Sequence, residues 1–593
     1  MFSNGLHLNQ PGRVCASLGL AFLSVFGLSC GQKDVGPPPR YAVVGFENLS
    51  GDPSLDWAGR GAAEYLSGSL EGAINGAGFI SRDALERAAG KLGGHVPSAP
   101  GISAERASAV TAGANRIIAG YVERTSAGVR IAASEEDAST HRTVRVLSAE
   151  APTAFEALGR LAHQFSAQVG QPPSGNPEAF RLYATALQGN AADAIPLLER
   201  AVELDPSFGR AWASLVQVYV AAGNRDQAAS TIRRARQRKL TPVDIARLDI
   251  EDASLRGDHQ AVKAAMEKLI GVSRGDSDLA QTLAEEETVA GNFAQAAADW
   301  KKMTVGFPDV TNGWNQLGYT LCWSGDYAGA LAALREYERL SPGNPNPLDS
   351  QGDVHYWFGK YADAAISYAA AYVKSPALLN GGDLYKGAWA KFRAGDKAGA
   401  DALFARFRDL REKAKDPEII LIAGDWLYRT GREKEAAALL REEANKDAPT
   451  GQLSRRSEIG TQLAVWDLLA GDRAAAAKDA ASGGTGNISP GDFVVRFVAQ
   501  PSATEAVWQA RASQVFAPPQ LAGLRDTALG YALVLDGKKQ AAIPVWEQIV
   551  KEAPATDFFP RAMLARLKGQ RLEHDAAPDP VGLTVFLSVL EKL

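Results

Sequence analysis

From residue 176 onward, apolar side chains recur at helical spacing in short runs, each closed by a glycine and a polar residue. The first six pairs are Gly189-Asn190, Gly223-Asn224, Gly257-Asp258, Gly291-Asn292, Gly325-Asp326 and Gly359-Lys360, and every step between their glycines is 34 residues. Gly395-Asp396 and Gly431-Arg432 follow at steps of 36, Gly471-Asp472 at 40, and Gly537-Lys538 after a larger gap. Five residues after each glycine stands an alanine: Ala194, Ala228, Ala296, Ala330, Ala364, Ala400, Ala436, Ala476 and Ala542, with Val262 as the exception. Seventeen residues after several of them stands a proline: Pro206, Pro308, Pro342, Pro376 and Pro554. The pattern predicts a helix ended by a left-handed glycine, a second helix whose small side chain lets the two approach, and a proline stop. One such pair cannot bury its own apolar faces, so the pairs must stack side by side into a superhelix.

Residues 40–170 follow a different pattern. Tyr41–Phe46 is an apolar run suited to a buried strand, and Glu47–Pro53 is a turn-rich loop. Leu55, Ala58, Ala62, Leu66, Leu70 and Ile74 then recur at helical spacing. Short helices are predicted over Arg82–Lys91 and Ser103–Gly113. Strands are predicted over Arg116–Glu123, Val129–Ser134 and Thr143–Leu147, and a closing helix carries Phe155, Leu158, Leu161, Ala162 and Phe165. This reads as a compact α/β domain in front of a mostly α chain. The array is expected to span 176–481 and to loosen after Gly395. Residues 482–519 are expected to interrupt it, with the loop Gly483–Gly491 followed by an Asp492–Pro519 segment that is irregular or a degenerate pair, and 520–593 hold a last pair and a tail.

The first thirty residues read as a signal peptide rather than as fold. Arg13 is followed by the apolar run Val14–Leu28 and then by Ser29-Cys30-Gly31. Residues 31–39, with three prolines, read as an extended tether. Cys15, Cys30 and Cys322 are the only cysteines. Cys322, inside a repeat helix, is expected to be a buried thiol.

Three resemblances refine this picture. The 34-residue period, with Trp212-x-x-Leu215, Trp314-Asn315-Gln316-Leu317-Gly318, Leu463 and Leu529-Gly530 in step, resembles the tetratricopeptide repeat family over residues 176–570. The resemblance implies that the first helix of each pair lines the concave side and that the array binds a protein or peptide. Leu28-Ser29-Cys30-Gly31 resembles the lipobox of bacterial lipoproteins, which implies acylation of Cys30. Gly27 departs from that pattern, where a large aliphatic residue is preferred. Val43-Val44-Gly45-Phe46-Glu47-Asn48-Leu49-Ser50-Gly51-Asp52-Pro53, with Asp56-Trp57-Ala58-Gly59-Arg60-Gly61 and Glu64, resembles the TolB amino-terminal-like (FlgO-like) domain. Gly120-Tyr121-Val122 and its hairpin fit as well, whereas the family's second strand is reduced to Phe79-Ile80. That resemblance implies an envelope or regulatory adaptor and brings no dependable catalytic residues.

Candidate chemistry changes little. A formal net charge of -5 argues against nonspecific nucleic-acid binding. Gly59-Arg60-Gly61 lacks a third glycine at Glu64, and Gly68-Ser69-Leu70-Glu71-Gly72 misplaces its serine for a nucleophile elbow. No two histidines stand four apart and no cysteine cluster supports them, so no metal, cofactor or catalytic set is expected. His355 is expected to sit in helix packing. What remains is a binding surface. The repeat register places Asn312, Asn315, Tyr319, Trp323, Asn346, Asp349, Asp353 and Trp357 on or near the concave side, where amides and rings can hold an extended peptide. The lysine–asparagine set that clamps a terminal carboxylate in chaperone adaptors of this family is absent. The expected function is a non-enzymatic scaffold in the bacterial envelope, facing the periplasm from the outer membrane. The alternative is a glycan- or nutrient-binding lipoprotein that stacks sugars on Trp323, Trp357 and Trp389.

Overall fold

Alternation along the first strand explains the layering of the amino-terminal domain. In the computed structural model, Tyr41 and Val43 of β1 (Arg40–Val43) face one apolar cluster, while Ala42 and Val44 face another. Both faces of the strand are covered, which is why it reads as an unbroken apolar run. The other strands are β2 (Glu47–Asn48), β3 (Gly78–Phe79), β4 (Arg116–Thr125), β5 (Gly128–Asp137) and β6 (Arg142–Ala151). The sheet order is β3-β1-β4-β5-β6, with β2 beside β4. β1 runs parallel to β3 and β4, and β4–β5–β6 form an antiparallel meander. Helices Asp56–Leu70 and Ala154–Phe165 cover one face, and residues of Arg82–Lys91 and Ile102–Thr111 contribute to the other.

The structure describes residues 38–91, 102–272, 277–446, 453–481, 490–498, 503–570, 574 and 587–593. The expected signal segment, Cys30 and the tether up to residue 37 lie outside the described residues, as does 482–489 of the expected loop.

The strand expected over Tyr41–Phe46 stops at Val43. Phe46 leaves the sheet because its backbone turns to the next helix: its N–H donates to the Gly59 carbonyl at 3.1 Å. Its ring lies over Gly120, where an added Cβ would come within 2.5 Å of it. The weak second strand is the two-residue β3, paired in parallel with β1 at the sheet edge.

Helix pairs then follow: Pro177–Ala186 with Ala191–Leu204, Gly209–Ala221 with Arg225–Ala235, Pro242–Arg256 with His259–Val272, Ser277–Ala290 with Phe293–Gly306, and Thr311–Trp323 with Tyr327–Leu340. Asn346–Trp357 pairs with Tyr361–Lys374, Gly382–Arg393 with Lys397–Lys413, Ile419–Arg429 with Glu433–Ala444, and Leu453–Leu469 with Arg473–Ala481. The turn glycines from Gly223 to Gly537 have φ between 68° and 92°, the left-handed region that only glycine enters freely. Gly189 is the exception, since its φ is not positive. The alanines five residues on are buried, and the prolines stand two residues past the ends Leu204, Gly306, Leu340, Lys374 and Glu552. The tryptophans of the W-x-x-L pattern have a specific partner. Nε1 of Trp212 donates to the Pro206 carbonyl at 3.0 Å, and that of Trp314 to Pro308 at 2.8 Å. Each ring thereby ties the start of a repeat to the proline that ended the one before.

Of the two alternatives for Asp492–Pro519, the described residues carry the pair, as helices Pro490–Val498 and Glu505–Val515. Phe493, Val494, Trp508, Ala512 and Phe516 make a core with helix Ala522–Leu535. The apolar spacing is there, but no turn glycine separates the two helices, so the repeat pattern does not register. The amino-terminal domain is also more than an appendage. Helix Asp56–Leu70 packs on Pro177–Ala186, with Tyr65 edge-on to Phe180 at 5.5 Å. Buried Arg40 reaches Asp309, just past a repeat-ending proline, at 2.6 Å. Among the described residues no helix is long and apolar enough to cross a membrane.

Candidate partner-binding groove

The 34-residue register stacks equivalent side chains from consecutive first helices. Asn315 and Asp349 form one column, and Tyr319 and Asp353 form another. Gly318 and Gly352 hold a third, continued across the 36-residue step by Ala388. Those glycines are required by close approach, since a Cβ on Gly352 would fall within 2.4 Å of the Tyr368 ring. Lys386, in line with Ser350 on the next first helix, turns its ammonium back across the repeat boundary. Nζ donates to Asp349 at 2.8 and 3.0 Å and to Asp353 at 2.9 and 3.2 Å. Asp353 also accepts from the Tyr319 hydroxyl at 2.8 Å and the Tyr368 hydroxyl at 2.7 Å. The Ser350 hydroxyl donates to the Asn315 side-chain oxygen at 3.0 Å.

This network is buried, and its electrostatics follow from that. Burial opposes the Lys386 ammonium, but the Asp353 and Asp349 carboxylates outweigh it and hold the lysine charged. Burial, and then the Asp353 charge, raises the Asp349 carboxyl. Asp383 sits beside Asp349, and burial together with that neighbour pushes its carboxyl up to about 8. At neutral pH Asp383 is therefore mostly a neutral acid. Burial and Asp353 also lift the Tyr319 and Tyr368 hydroxyls well above the usual phenol range. The cluster ties three repeats together, with Lys386 and Asp349 buried at its centre and Asp353 partly exposed at its edge.

The aromatic part of the expected surface is covered by the chain's own carboxy-terminal segment. Phe558, at the start of helix Phe558–Leu567, lies 4.8 Å from the Trp357 ring and 5.8 Å from Trp323. His574 stacks on Trp357 at 5.2 Å, and its Nδ1 is 3.1 Å from the Trp357 carbonyl. The Ala555 N–H donates to the Val289 carbonyl at 2.9 Å. Further along, the short helix Leu587–Lys592 packs on the first helices Ile419–Arg429 and Leu453–Leu469. Ser588 and Val589 are fully buried there. Glu591 bonds Arg429 at 3.1 Å and lies 3.9 Å from Arg393, while Lys592 bonds Glu433 at 2.5 Å. Arg429 is buried, paired with Asp425 at 3.2 Å, and lies 4.3 Å over the Trp389 ring.

The expected residues thus divide into three groups. Asn315, Tyr319, Asp349 and Asp353 are brought together in the buried network. Trp323 and Trp357 form a second patch under Phe558 and His574. Asn312 is exposed and bonds Gln281 at 2.9 Å, and Asn346 starts its helix with its N–H donating to Asn344, so both stand apart from the rest. Trp389 is 1% exposed, enclosed by Trp426 and Arg429, and has no face to offer a sugar. His355 lies in the helix packing, 2.9 Å from the Tyr327 hydroxyl, and burial lowers its pKa. Cys322 is buried and its thiol is pushed up to about 12. Lys386, Asp383, Ser350 and Tyr368 escaped the sequence reading. The 36-residue step puts Asp383 in line with Pro347 and Lys386 with Ser350, so the register led to neither. Arg393 and Arg429 stand two residues before their turn glycines, in the column of Trp323 and Trp357, whereas Glu591 carries no periodic signal. Among the described residues, no group of three potential ligands could hold a metal ion.

Comparison with known proteins follows this geometry. Residues 185–247 and 282–345 each match the tetratricopeptide repeat family. No curated protein matches the sequence. Among solved structures, the chain is similar to MamA, at 18% identity over 30% of this chain and 95% of that one, with a TM-score of 0.26. It is similar to yeast Tom70 at 11% identity over 70% of this chain and 92% of that one, with a TM-score of 0.31. It is also similar to YrrB, described as a tetratricopeptide protein with an unusual peptide-binding site, at 14% identity over 30% of this chain and 93% of that one, with a TM-score of 0.25. The left-handed turn glycines, the buried alanines and the proline stops recur along the array in step with those of the two matched stretches, so residues 185–247 and 282–345 carry tetratricopeptide repeats within a longer run of the same helix pairs.

Proposed function

We propose that this protein is a non-enzymatic scaffold of the bacterial envelope that holds a protein partner on the first-helix face of its repeats. The observation that carries the reading is that this face already grips polypeptide: Phe558 and His574 sit on Trp323 and Trp357, and the 587–592 helix sits on the arginines. A surface that binds one segment of protein chain through rings, buried small residues and paired charges has the chemistry to bind another. The envelope assignment rests on the Val14–Leu28 run before Cys30, and the lipid on that cysteine would face the repeats toward the periplasm.

Crosslinking the full-length protein in envelope fractions, followed by identification of the linked chains, tests the reading. Links to a reproducible partner from first-helix residues support it. A partner linked only through the exposed strand β6, or none, overturns it. Cys30→Ser is expected to move the protein from the membrane to the soluble periplasmic fraction, and unchanged membrane association contradicts the anchor.

A further inference from the structure

We infer that the crevice between the α/β domain and the first repeats binds a phosphate monoester, with the phosphate among arginines of both parts and the organic body in the adjoining cleft. This goes beyond the scaffold function proposed above and stands without it.

The topology opens the crevice. β1 and β3 are parallel neighbours, and the helices that follow them lie on opposite faces of the sheet: Asp56–Leu70 after β1 and Arg82–Lys91 after β3. Such a switch leaves a gap beyond the carboxyl ends of the two strands, where open α/β sheets hold their ligands. Here Val43 at the end of β1 and Ile80 and Ser81 after β3 line the gap. Helices Gly209–Ala221 and Pro242–Arg256 wall it from the repeat side.

That wall is basic. It carries Arg60, Arg82, Arg210 and Arg247 against Glu64 and Glu71. Arg210 is largely buried and meets Glu64 at 3.2 Å and Glu71 at 3.6 Å. Arg60 meets Glu105, which lies outside the crevice, at 3.6 Å. Charge-assisted contacts at full strength are about 2.7–2.9 Å, so both guanidiniums keep donors for a further acceptor. Arg247 is half-buried, and its guanidinium has no hydrogen bond or ion pair among the described residues. Bare backbone makes room for the central arginine: a Cβ on Gly68 would come within 3.3 Å of Arg210 Cζ and 2.7 Å of the Pro173 ring. A phosphate monoester brings three acceptor oxygens and a charge of about −1.5 to −2 at neutral pH, which suits a wall with two more guanidiniums than carboxylates.

The crevice continues into a cleft of about 650 Å³ that shares Phe79, Arg210 and Arg247 with it and adds Ile74, Val243 and Val272. That is the size of a small-molecule site, apolar in part and charged at one end. A ligand with an anionic head and a less polar body matches both halves.

Calorimetric titration of the full-length protein tests the inference, with phenyl phosphate and dihexanoyl phosphatidic acid as the two esters and inorganic phosphate and benzoate as comparisons. Arg247→Ala removes a donor from the repeat side and Arg60→Gln one from the domain side, and thermal melts check that both variants fold. At least one ester should bind, and each variant should weaken it by at least about tenfold. A response to phenyl phosphate assigns a soluble ester, and a response to the phosphatidic acid alone assigns a lipid headgroup. Inorganic phosphate leaves the cleft empty and benzoate carries a single charge, so both should bind more weakly than the ester. No binding of either ester at about 1 mM, an equal affinity for inorganic phosphate or benzoate, or unchanged affinity in either folded variant overturns the inference.

Discussion

Glu591 and Arg429 stand 162 residues apart in sequence and bond at 3.1 Å, fastening the last described helix to the eighth repeat pair. Arg429 is the hub of that contact. It is buried, and it pairs with Asp425, whose carboxyl burial raises even against the pull of that guanidinium. Arg429→Ala strands Asp425 as an unpaired buried acid and should cost about 3–5 kcal/mol, read from urea unfolding. Glu591→Gln touches only the partly exposed side and should cost less than about 1 kcal/mol. Similar costs for the two would contradict the distinction.

Lys386 is predicted to matter through the carboxylates it leaves behind. Lys386→Met alone should destabilise by about 3–5 kcal/mol, because Asp349 and Asp353 lose their cation in a buried site. Adding Asp349→Asn and Asp353→Asn should recover much of that loss. Additive losses in the combined variant would show that the three side chains act independently.

Asp383 makes stability depend on pH. Its carboxyl rises from the ordinary 3.8 to about 8 in the fold, so the folded state holds a proton that the unfolded chain has released. Stability from this group is full below about pH 4 and is lost as pH rises through about 8. Asp383→Asn should flatten the fall in melting temperature between pH 6 and pH 9 relative to the parent. An unchanged slope would contradict the assignment.

The array's register explains how much could be read in advance. Glycine, alanine and proline recur because each solves the same local problem in every repeat: a left-handed turn, a close helix approach, a stop. The columns that follow the same 34-residue step were partly legible, so Asn315, Tyr319, Asp349 and Asp353 were found. Their roles were not, because Lys386 stands in line with Ser350 rather than with the carboxylates, and no local pattern records that it reaches back to Asp349 and Asp353. Coverage of Trp323 and Trp357 was invisible for another reason. It depends on Phe558 and His574, more than 200 residues on, and nothing local in either sequence records that meeting.

Gly352 and Gly343 separate close approach from open surface. A Cβ on Gly352 meets Tyr368 at 2.4 Å, while one on Gly343 meets nothing within 4 Å. Gly352→Val should cost about 1–3 kcal/mol by overpacking, and Gly343→Ala less than about 0.5 kcal/mol. Equal thermal shifts would contradict the packing described for the Gly352–Tyr368 contact.

The central claim is that the carboxy-terminal segment sits on the first-helix face of its own chain. A zero-length carbodiimide joins an amine to a carboxylate only when the two touch, and Lys592 Nζ lies 2.5 Å from Glu433. Mass spectrometry of the crosslinked full-length protein should recover a Glu433–Lys592 amide within one chain. Lys592 linked elsewhere, or left unlinked while the exposed Lys568 joins Glu547 2.7 Å away, would contradict the claim.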